Sequence, residues 1–249
     1  AGMSSYGMMP FICTFTPFAT RRICDQIAIS MAYAKQNLKI IGTDPGISAE
    51  LNGGTHMSVE DVGVLRSIPD VVIFEPVDEV QLAKAMPIID AYEGVVYVRL
   101  FRKNQPVIFG EDYKFDLFKA DVLSDGKDVV IFASGIMVPE ALEAKKLLAE
   151  ESIDAAVVNV HTVKPLDEET VLKYLKKTGA AVVAENHNVK GGLFSAATEV
   201  AAQNLPTPIK AVGIPDRFGE VGKMPYLKDV MHMNVSDIVS AAKEAIKMK

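Results

Sequence analysis

Short apolar runs rich in β-branched residues alternate with helical patterns along the second half of this chain. Between the runs, residues 137–151 and 166–179 carry apolar side chains at helical spacing. This alternation predicts an α/β domain with a mostly parallel sheet and helices on both faces, which makes three αβα layers. The runs that predict buried strands span residues 128–134, 155–160, 180–186 and 209–215.

The first half repeats the pattern less regularly. Residues 103–119 contain proline, glycine and charges of both signs without a lasting period, which is typical of a connector between domains. We therefore predict two three-layer αβα domains with mostly parallel sheets, at residues 1–116 and 117–249. The first-half elements behind this prediction are strands at 37–44, 71–78 and 95–101 and helices at 24–36, 59–67 and 79–92.

Composition excludes several classes of function. A net charge of −6 argues against a nucleic-acid partner or an anionic membrane surface, since both select basic faces. Cys13 and Cys24 form no Cys-x-x-Cys motif and do not cluster with histidine, so no metal site or disulfide framework is indicated. No apolar run approaches the roughly 20 residues that cross a bilayer. We expect a cytoplasmic protein without a membrane partner.

Candidate site residues lie in the loops that follow predicted strands, where open α/β sheets bind ligands. The loop 44–55 contains three glycines and leads into His56, a side chain type that exchanges protons near neutral pH. Arg102 follows another strand and suits bidentate binding of a carboxylate or phosphate. Phe15 and Phe18 suit packing against a planar ring.

Each candidate also has a purely structural explanation. His56 is consistent with a capping or solvated histidine, Arg102 with a surface ion pair, and the two phenylalanines with core packing. The glycines of 191–192 precede an apolar helical pattern but lack a G-x-G-x-x-G or Walker motif, so we expect close helix packing there.

Seven segments, taken in order, resemble the C-terminal half of a transketolase, and together they span essentially the whole chain. The most specific is Gly-Gly-Thr-His followed by Leu-Arg-Ser-Ile-Pro. The segment FATRRICDQI is most similar to the split bacterial and archaeal transketolases, whose halves are separate polypeptides. The segments are CTFTPFATRRICDQI, GGTHMSVEDVGVLRSIPDVVIFEPVDEVQ, YVRLFRKNQPV, KADVLSDGKDVVIFASG, VNVHTVKPLDEE, AENHNVKGGLFSAATEV and GIPDRFGEVG.

The resemblance implies a fold and an activity. The fold is a thiamine-diphosphate-type pyrimidine-binding domain, incomplete at its N-terminus, followed by the transketolase C-terminal domain. The activity is transfer of a two-carbon ketol unit from a ketose phosphate to an aldose phosphate, as in the pentose-phosphate enzyme, with the cofactor as electron sink. Phe15 and Phe18 match the residues that pack on the aminopyrimidine, His56 the catalytic histidine that contacts the sugar hydroxyls, and Arg102 the arginine that binds substrate phosphate.

Some residues depart from the family pattern. Asp44 and Asn52 stand where many transketolases have a histidine and an aspartate that bind substrate, so we expect these two residues to contact a different sugar or a different phosphate position. Arg21 or Arg22 stands where many members have a third aromatic residue.

Other family features have no counterpart in this sequence. No residue can be assigned to the glutamate that activates the cofactor, and the Gly-Asp-Gly and asparagine ligands for Mg²⁺ are absent. We therefore expect these groups on an N-terminal half or partner subunit, in a homodimer or heterotetramer, and we expect the chain alone to be inactive. Deoxyxylulose-phosphate synthase, the β subunit of a 2-oxo-acid dehydrogenase and a noncatalytic dimerisation module are the alternatives.

Overall fold

A computed structural model describes all 249 residues. The chain forms two five-stranded, mostly parallel sheets with helices packed against them. The predicted α/β class and the mostly parallel sheets are confirmed. The strands are β1 (Phe11–Phe15), β2 (Leu38–Thr43), β3 (Val71–Phe74), β4 (Val95–Leu100), β5 (Asp121–Ser124), β6 (Val129–Ala133), β7 (Ala155–Asn159), β8 (Thr162–Lys164), β9 (Ala181–Asn188) and β10 (Ile209–Ile214).

The helices follow the predicted order with a few additions. None of them is long and apolar enough to cross a membrane. Short 3₁₀ segments occupy Arg21–Ile23 and Gly46–Asn52, and a π-helix occupies Gln26–Tyr33. The α-helices are α1 (Gly2–Ser5), α2 (Thr16–Ala19), α3 (Asp61–Arg66), α4 (Glu79–Ala91), α5 (Met137–Glu150), α6 (Glu168–Thr178), α7 (Leu193–Asn204), α8 (Met224–Val230) and α9 (Val235–Ile246).

Local sequence explains where the main helices begin and end. The Asp78 carboxylate accepts from the Gln81 amide at 2.8 Å and so caps α4. Asn234 begins α9 in a capping box with Asp237. Gly179 ends α6 in the left-handed conformation.

The first sheet has the order β1-β2-β4-β3-β8. Strands β1, β2, β4 and β3 are parallel, so their carboxyl ends lie along one edge. Strand β8 comes from the second half of the chain and pairs antiparallel with β3, with Phe74 opposite Thr162. The sequence did not predict β1 or β8, because β1 has no apolar alternation and β8 is only three residues long.

The second sheet has the order β10-β9-β6-β7-β5, and only β5 is antiparallel. Helices α5 and α9 pack on one face, whereas α6 and α7 pack on the other. Strand β5 was not predicted, because its half-exposed residues carry no buried pattern.

The two sheets share part of their hydrophobic core. One cluster joins apolar residues of β2, β4 and the π-helix to residues of β6, β7, α6 and α7. The shared core and the strand β8 tie the two halves together. The division between residues 116 and 117 stays a prediction.

Candidate active site

Three of the expected site residues lie at the carboxyl edge of the first sheet. Phe15 ends β1, Asp44 follows β2 and Arg102 follows β4, and these strands are immediate neighbours. Because the strands are parallel, the residues that follow them lie at the same edge. The strand order therefore brings together residues that are up to 87 positions apart in the chain, from Phe15 to Arg102.

His56 lies between the two phenylalanines. Its ring centroid is 5.4 Å from that of Phe15 and 5.3 Å from that of Phe18, edge-on to both. The phenylalanine centroids are 6.3 Å apart at an interplanar angle of 84°. The Thr55 hydroxyl lies 3.0 Å from His56 Nδ1, and Nε2 has no hydrogen-bond partner in the chain. Nδ1 is thereby held while Nε2 is available to a ligand.

Two arginines flank this aromatic group. The Arg22 guanidinium lies 3.9 Å from the Phe18 ring centroid, and that of Arg102 lies 5.3 Å from the Phe15 centroid. Arg21 instead pairs with Glu60 at 2.6 Å. Arg22 is therefore the one of the two arginines that adjoins the phenylalanines.

Arg102 and Asp44 form an ion pair. Arg102 Nε lies 2.5 Å from Asp44 Oδ2, and the side chains are 54% and 2% exposed, respectively. Asp44 has a φ of 54°, in the left-handed region that glycine, asparagine and aspartate adopt more readily than other residues. Its Oδ2 is buried and accepts no well-aligned hydrogen bond, because the Arg102 N–H does not point at it.

A cavity of about 500 Å³ adjoins this pair, between the first sheet and α8. Lys103 pairs with Glu50, whose other oxygen accepts from the Met224 amide at 2.9 Å. The Lys103 bond and the nearby positive charges outweigh the effect of burial and lower the pKa of Glu50. The charged residues that line the cavity are Asp44, Glu50, Arg102, Lys103, Lys223 and Lys228.

The structure does not bring Asn52 into this group. Asn52 is exposed, its side chain makes no hydrogen bond, and it does not line the cavity. The 3₁₀ segment that contains it is kinked at Glu50, where φ is 45°. Its role as a substrate contact stays a prediction.

The loop that carries Asp44 and His56 is fixed by the second sheet. Gly46 has a φ of 53°, and a Cβ there would lie 2.2 Å from Asn186 Oδ1. A Cβ on Gly54 would lie 2.4 Å from the Gly219 carbonyl oxygen. Met57, next to His56, is buried in the core beneath α5 and α9. These glycines serve close approach of the second half of the chain rather than flexibility.

A buried polar network lies beneath the site, and sequence reasoning missed it. Arg99 on β4 donates to Asp61 Oδ2 at 2.7 Å, to Glu75 Oε1 at 2.7 Å and to the Asn186 carbonyl at 2.7 Å. Burial by itself would raise the pKa of Asp61, but the adjacent Arg99 charge and hydrogen bonds hold it below its usual value. Ser134, which directly follows β6, donates to Glu75 at 2.8 Å. The signal in the sequence was an arginine inside a continuous apolar strand.

The residues present fit one part of a thiamine-type cofactor. Phe15 and Phe18 form a half-buried apolar wall beside His56, which suits an aromatic ring. No group of three or more histidine, cysteine or carboxylate side chains could hold a metal ion. This wall would suit the pyrimidine end of the cofactor, and the residues that would hold a metal-bound diphosphate are not among the side chains described above.

Comparison with known proteins places this geometry in a family. Residues 1–107 match the transketolase pyrimidine binding domain, and residues 118–238 match the transketolase C-terminal domain. The chain is 52% identical to the 6-deoxy-6-sulfo-D-fructose transketolase subunit SqwH of Clostridium sp. (strain MSTE9), over all of its own length and 77% of the relative. The chain belongs to the transketolase family. Its resemblance to the C-terminal half of a transketolase is thereby confirmed.

Two further transketolase relatives extend the comparison. An apulose-4-phosphate transketolase subunit of Phocaeicola vulgatus (strain ATCC 8482) is 35% identical over 87% of this chain and 69% of its own length. A solved split-gene transketolase, described as an inactive beta4 tetramer, superposes with a TM-score of 0.91 at 38% identity, over 100% of this chain and 79% of its own.

Proposed function

We propose that this chain is the C-terminal subunit of a split transketolase that transfers a two-carbon ketol unit from a ketose to an aldose. The observation that carries the proposal is His56, held edge-on between Phe15 and Phe18, in a chain that matches both transketolase domains. The Arg102 guanidinium lies over the Phe15 ring of the same group. The two phenylalanines provide a surface for the cofactor ring, His56 provides a proton carrier and Arg102 provides a binding group for an anion. The rest of the active site comes from the partner subunit.

Thiamine diphosphate supplies the electron sink for carbon–carbon bond cleavage when it is bound. Phe15 and Phe18 would pack against its pyrimidine ring. His56, with Nδ1 held by Thr55, moves a proton at Nε2 to or from a hydroxyl of the sugar. Arg102 binds the anionic group at the far end of the sugar through the guanidinium nitrogens that Asp44 leaves free.

The substrate class follows from Arg102 and from the relatives. A half-exposed guanidinium at a cavity with three lysines suits a sugar with a terminal anion. One relative is named for a sulfonated ketose and another for a ketose phosphate. We therefore propose a ketose donor with a terminal sulfonate or phosphate, rather than the pentose-phosphate pair specifically.

The partner is an N-terminal subunit that supplies the diphosphate-binding residues, the Mg²⁺ ligands and the activating glutamate. Two findings support this assembly: this chain has no metal-ligand group, and similar proteins are named as subunits. We propose a heterotetramer of two C-terminal and two N-terminal subunits, located in the cytoplasm.

Reconstitution tests the proposal. The chain and its N-terminal partner are mixed with thiamine diphosphate, Mg²⁺, an aldehyde acceptor and a sulfonated or phosphorylated ketose, and the ketol product is measured. We expect turnover from the mixture and none from the chain alone. Turnover by the isolated chain would contradict the subunit assignment, and a product formed only from pyruvate would identify a deoxyxylulose-phosphate synthase instead. If the mixture binds the cofactor but no donor reacts, the noncatalytic alternative holds.

A further inference from the structure

The cavity beside Arg102 has an unusual balance of charge. Three of its four cations are already paired, and each pair includes a carboxylate in direct contact. Lys223 is exposed and has no acidic partner, so this chain contributes one unpaired positive charge. The three pairs are Arg102 with Asp44, Lys103 with Glu50, and Lys228 with Glu140.

Asp44 is held in a fixed position in the wall of the cavity. Its side chain is 2% exposed, and its amide donates to the Leu100 carbonyl at 2.8 Å, which fixes the backbone between β2 and β4. Arg102 uses only Nε toward Asp44, while its two terminal nitrogens have no hydrogen-bond partner in the chain. An anion that binds those nitrogens therefore lies close to a buried negative charge that water screens poorly.

The charge of the incoming anion then decides how well it binds. A sulfonate carries a single negative charge at every relevant pH. A phosphate monoester has a second pKa of about 6 and carries close to two negative charges above it. The single charge of a sulfonate is balanced by the unpaired charge of Lys223. The second charge of a phosphate has no free cation to balance it and is repelled by Asp44.

We propose that Asp44 is a specificity-determining residue that makes this anion site prefer a singly charged tail, such as a sulfonate, over a doubly charged tail, such as a phosphate monoester. The inference rests on the proposed ketol transfer and names the substrate class of the same site. If Asp44 served only to orient Arg102, removing its charge would weaken the binding of sulfonates and of phosphates to the same extent.

The test compares two donor ketoses that differ only in a terminal sulfonate or phosphate, with the reconstituted enzyme. The ratio of kcat/KM for sulfonate over phosphate is measured at about pH 5.5 and about pH 8, on either side of the phosphate ionisation. Ionisation of enzyme groups that lie away from the anion site acts equally on both donors and cancels in the ratio. We expect the wild-type ratio to rise about tenfold across this range, equivalent to about 1.4 kcal/mol.

The Asp44→Asn variant removes the charge and keeps the shape, and asparagine tolerates the left-handed backbone. We expect its ratio at about pH 8 to fall about tenfold below that of wild type and to vary little with pH. Asp70→Asn is the matched control, since Asp70 has a φ of 60° and pairs with Lys35 away from the cavity. Its ratio should equal that of wild type.

Two results would overturn the inference. One is a wild-type ratio that does not change with pH, and the other is an Asp44→Asn variant in which kcat/KM falls by the same factor for both donors. If the variant does not fold, inhibition of wild type by a short alkyl sulfonate and an alkyl phosphate gives the same ratio without mutation. Failure of the proposed function looks different, because neither donor would then yield a ketol product.

Discussion

Asn186 of the second sheet holds the loop of the first sheet by two hydrogen bonds at once. Its side-chain amide donates to the Pro45 carbonyl at 2.9 Å, and its side-chain oxygen accepts from the Ile47 amide at 2.9 Å. The loop begins at Asp44 and leads to His56. The C-terminal domain therefore positions residues of the candidate site without contributing to its aromatic wall.

Replacing Asn186 by alanine should loosen this loop. Both loop groups would lose their buried partner, so we expect a loss of about 2–4 kcal/mol in the free energy of unfolding. Urea denaturation measures it. Asn204→Ala removes a bond from an exposed side chain to the Val200 carbonyl and should cost less than about 1 kcal/mol. An equal loss of unfolding free energy in the two variants would show that the buried Asn186 hydrogen bonds stabilise the fold no more than the exposed Asn204 bond does.

Replacing Arg99 by methionine should destabilise the protein far more than removing a surface arginine. The change leaves Asp61 and Glu75 buried without their cation, which costs about 3–5 kcal/mol. Arg21→Met breaks an exposed pair with Glu60 and should cost less than about 1 kcal/mol. Chemical denaturation of both variants at neutral pH provides the comparison. A small loss for Arg99→Met would mean that the carboxylates protonate or reach water.

His161 should make stability depend on pH. Burial lowers its pKa to about 4, against hydrogen bonding to the Lys119 carbonyl, so the folded state keeps it neutral. The unfolded chain takes up a proton near its ordinary pKa of about 6.5, so stability is lost as the pH falls toward 4. From about pH 7.5 to about pH 5.5 this group alone removes about 1.4 kcal/mol of unfolding free energy.

The neighbouring Asp121 acts in the opposite direction. Burial raises the pKa of Asp121 to about 6, so the folded state takes up a proton at a higher pH than the unfolded chain does. At about pH 5.5 this uptake adds about 0.8 kcal/mol to the free energy of unfolding. The clean measurement is therefore the difference between wild type and His161→Gln, and wild type should lose about 1.4 kcal/mol more over this range. Parallel pH profiles for the two proteins would rule out a buried neutral histidine.

Replacing His56 by asparagine in the reconstituted enzyme should lower kcat by about a hundredfold or more, as expected for the loss of a positioned proton carrier. Stability should change little, because the His56 side chain is only half-buried. His232→Asn is the matched control, since His232 is exposed and its φ of 55° suits asparagine. A rise in KM with unchanged kcat would assign His56 to binding alone.

The amino-acid sequence by itself determined the α/β class, the mostly parallel strands and the approximate limits of α3, α4, α5 and α6, because these features depend on local periodicity. It also pointed to His56, Arg102 and the phenylalanines, since ligands bind in loops after strands. It did not reveal β1, β5 or β8, which are too short or too irregular to show a period.

Only the tertiary structure decided which distant residues meet. The placement of β1, β2 and β4 side by side brought Phe15, Asp44 and Arg102 together, and strand order leaves no mark in local sequence. The partners of Arg99 and Asn186 lie up to 141 positions away in the chain. Such pairs form because a buried polar group must find a partner wherever the fold supplies one, and that requirement is met only after the two sheets have packed.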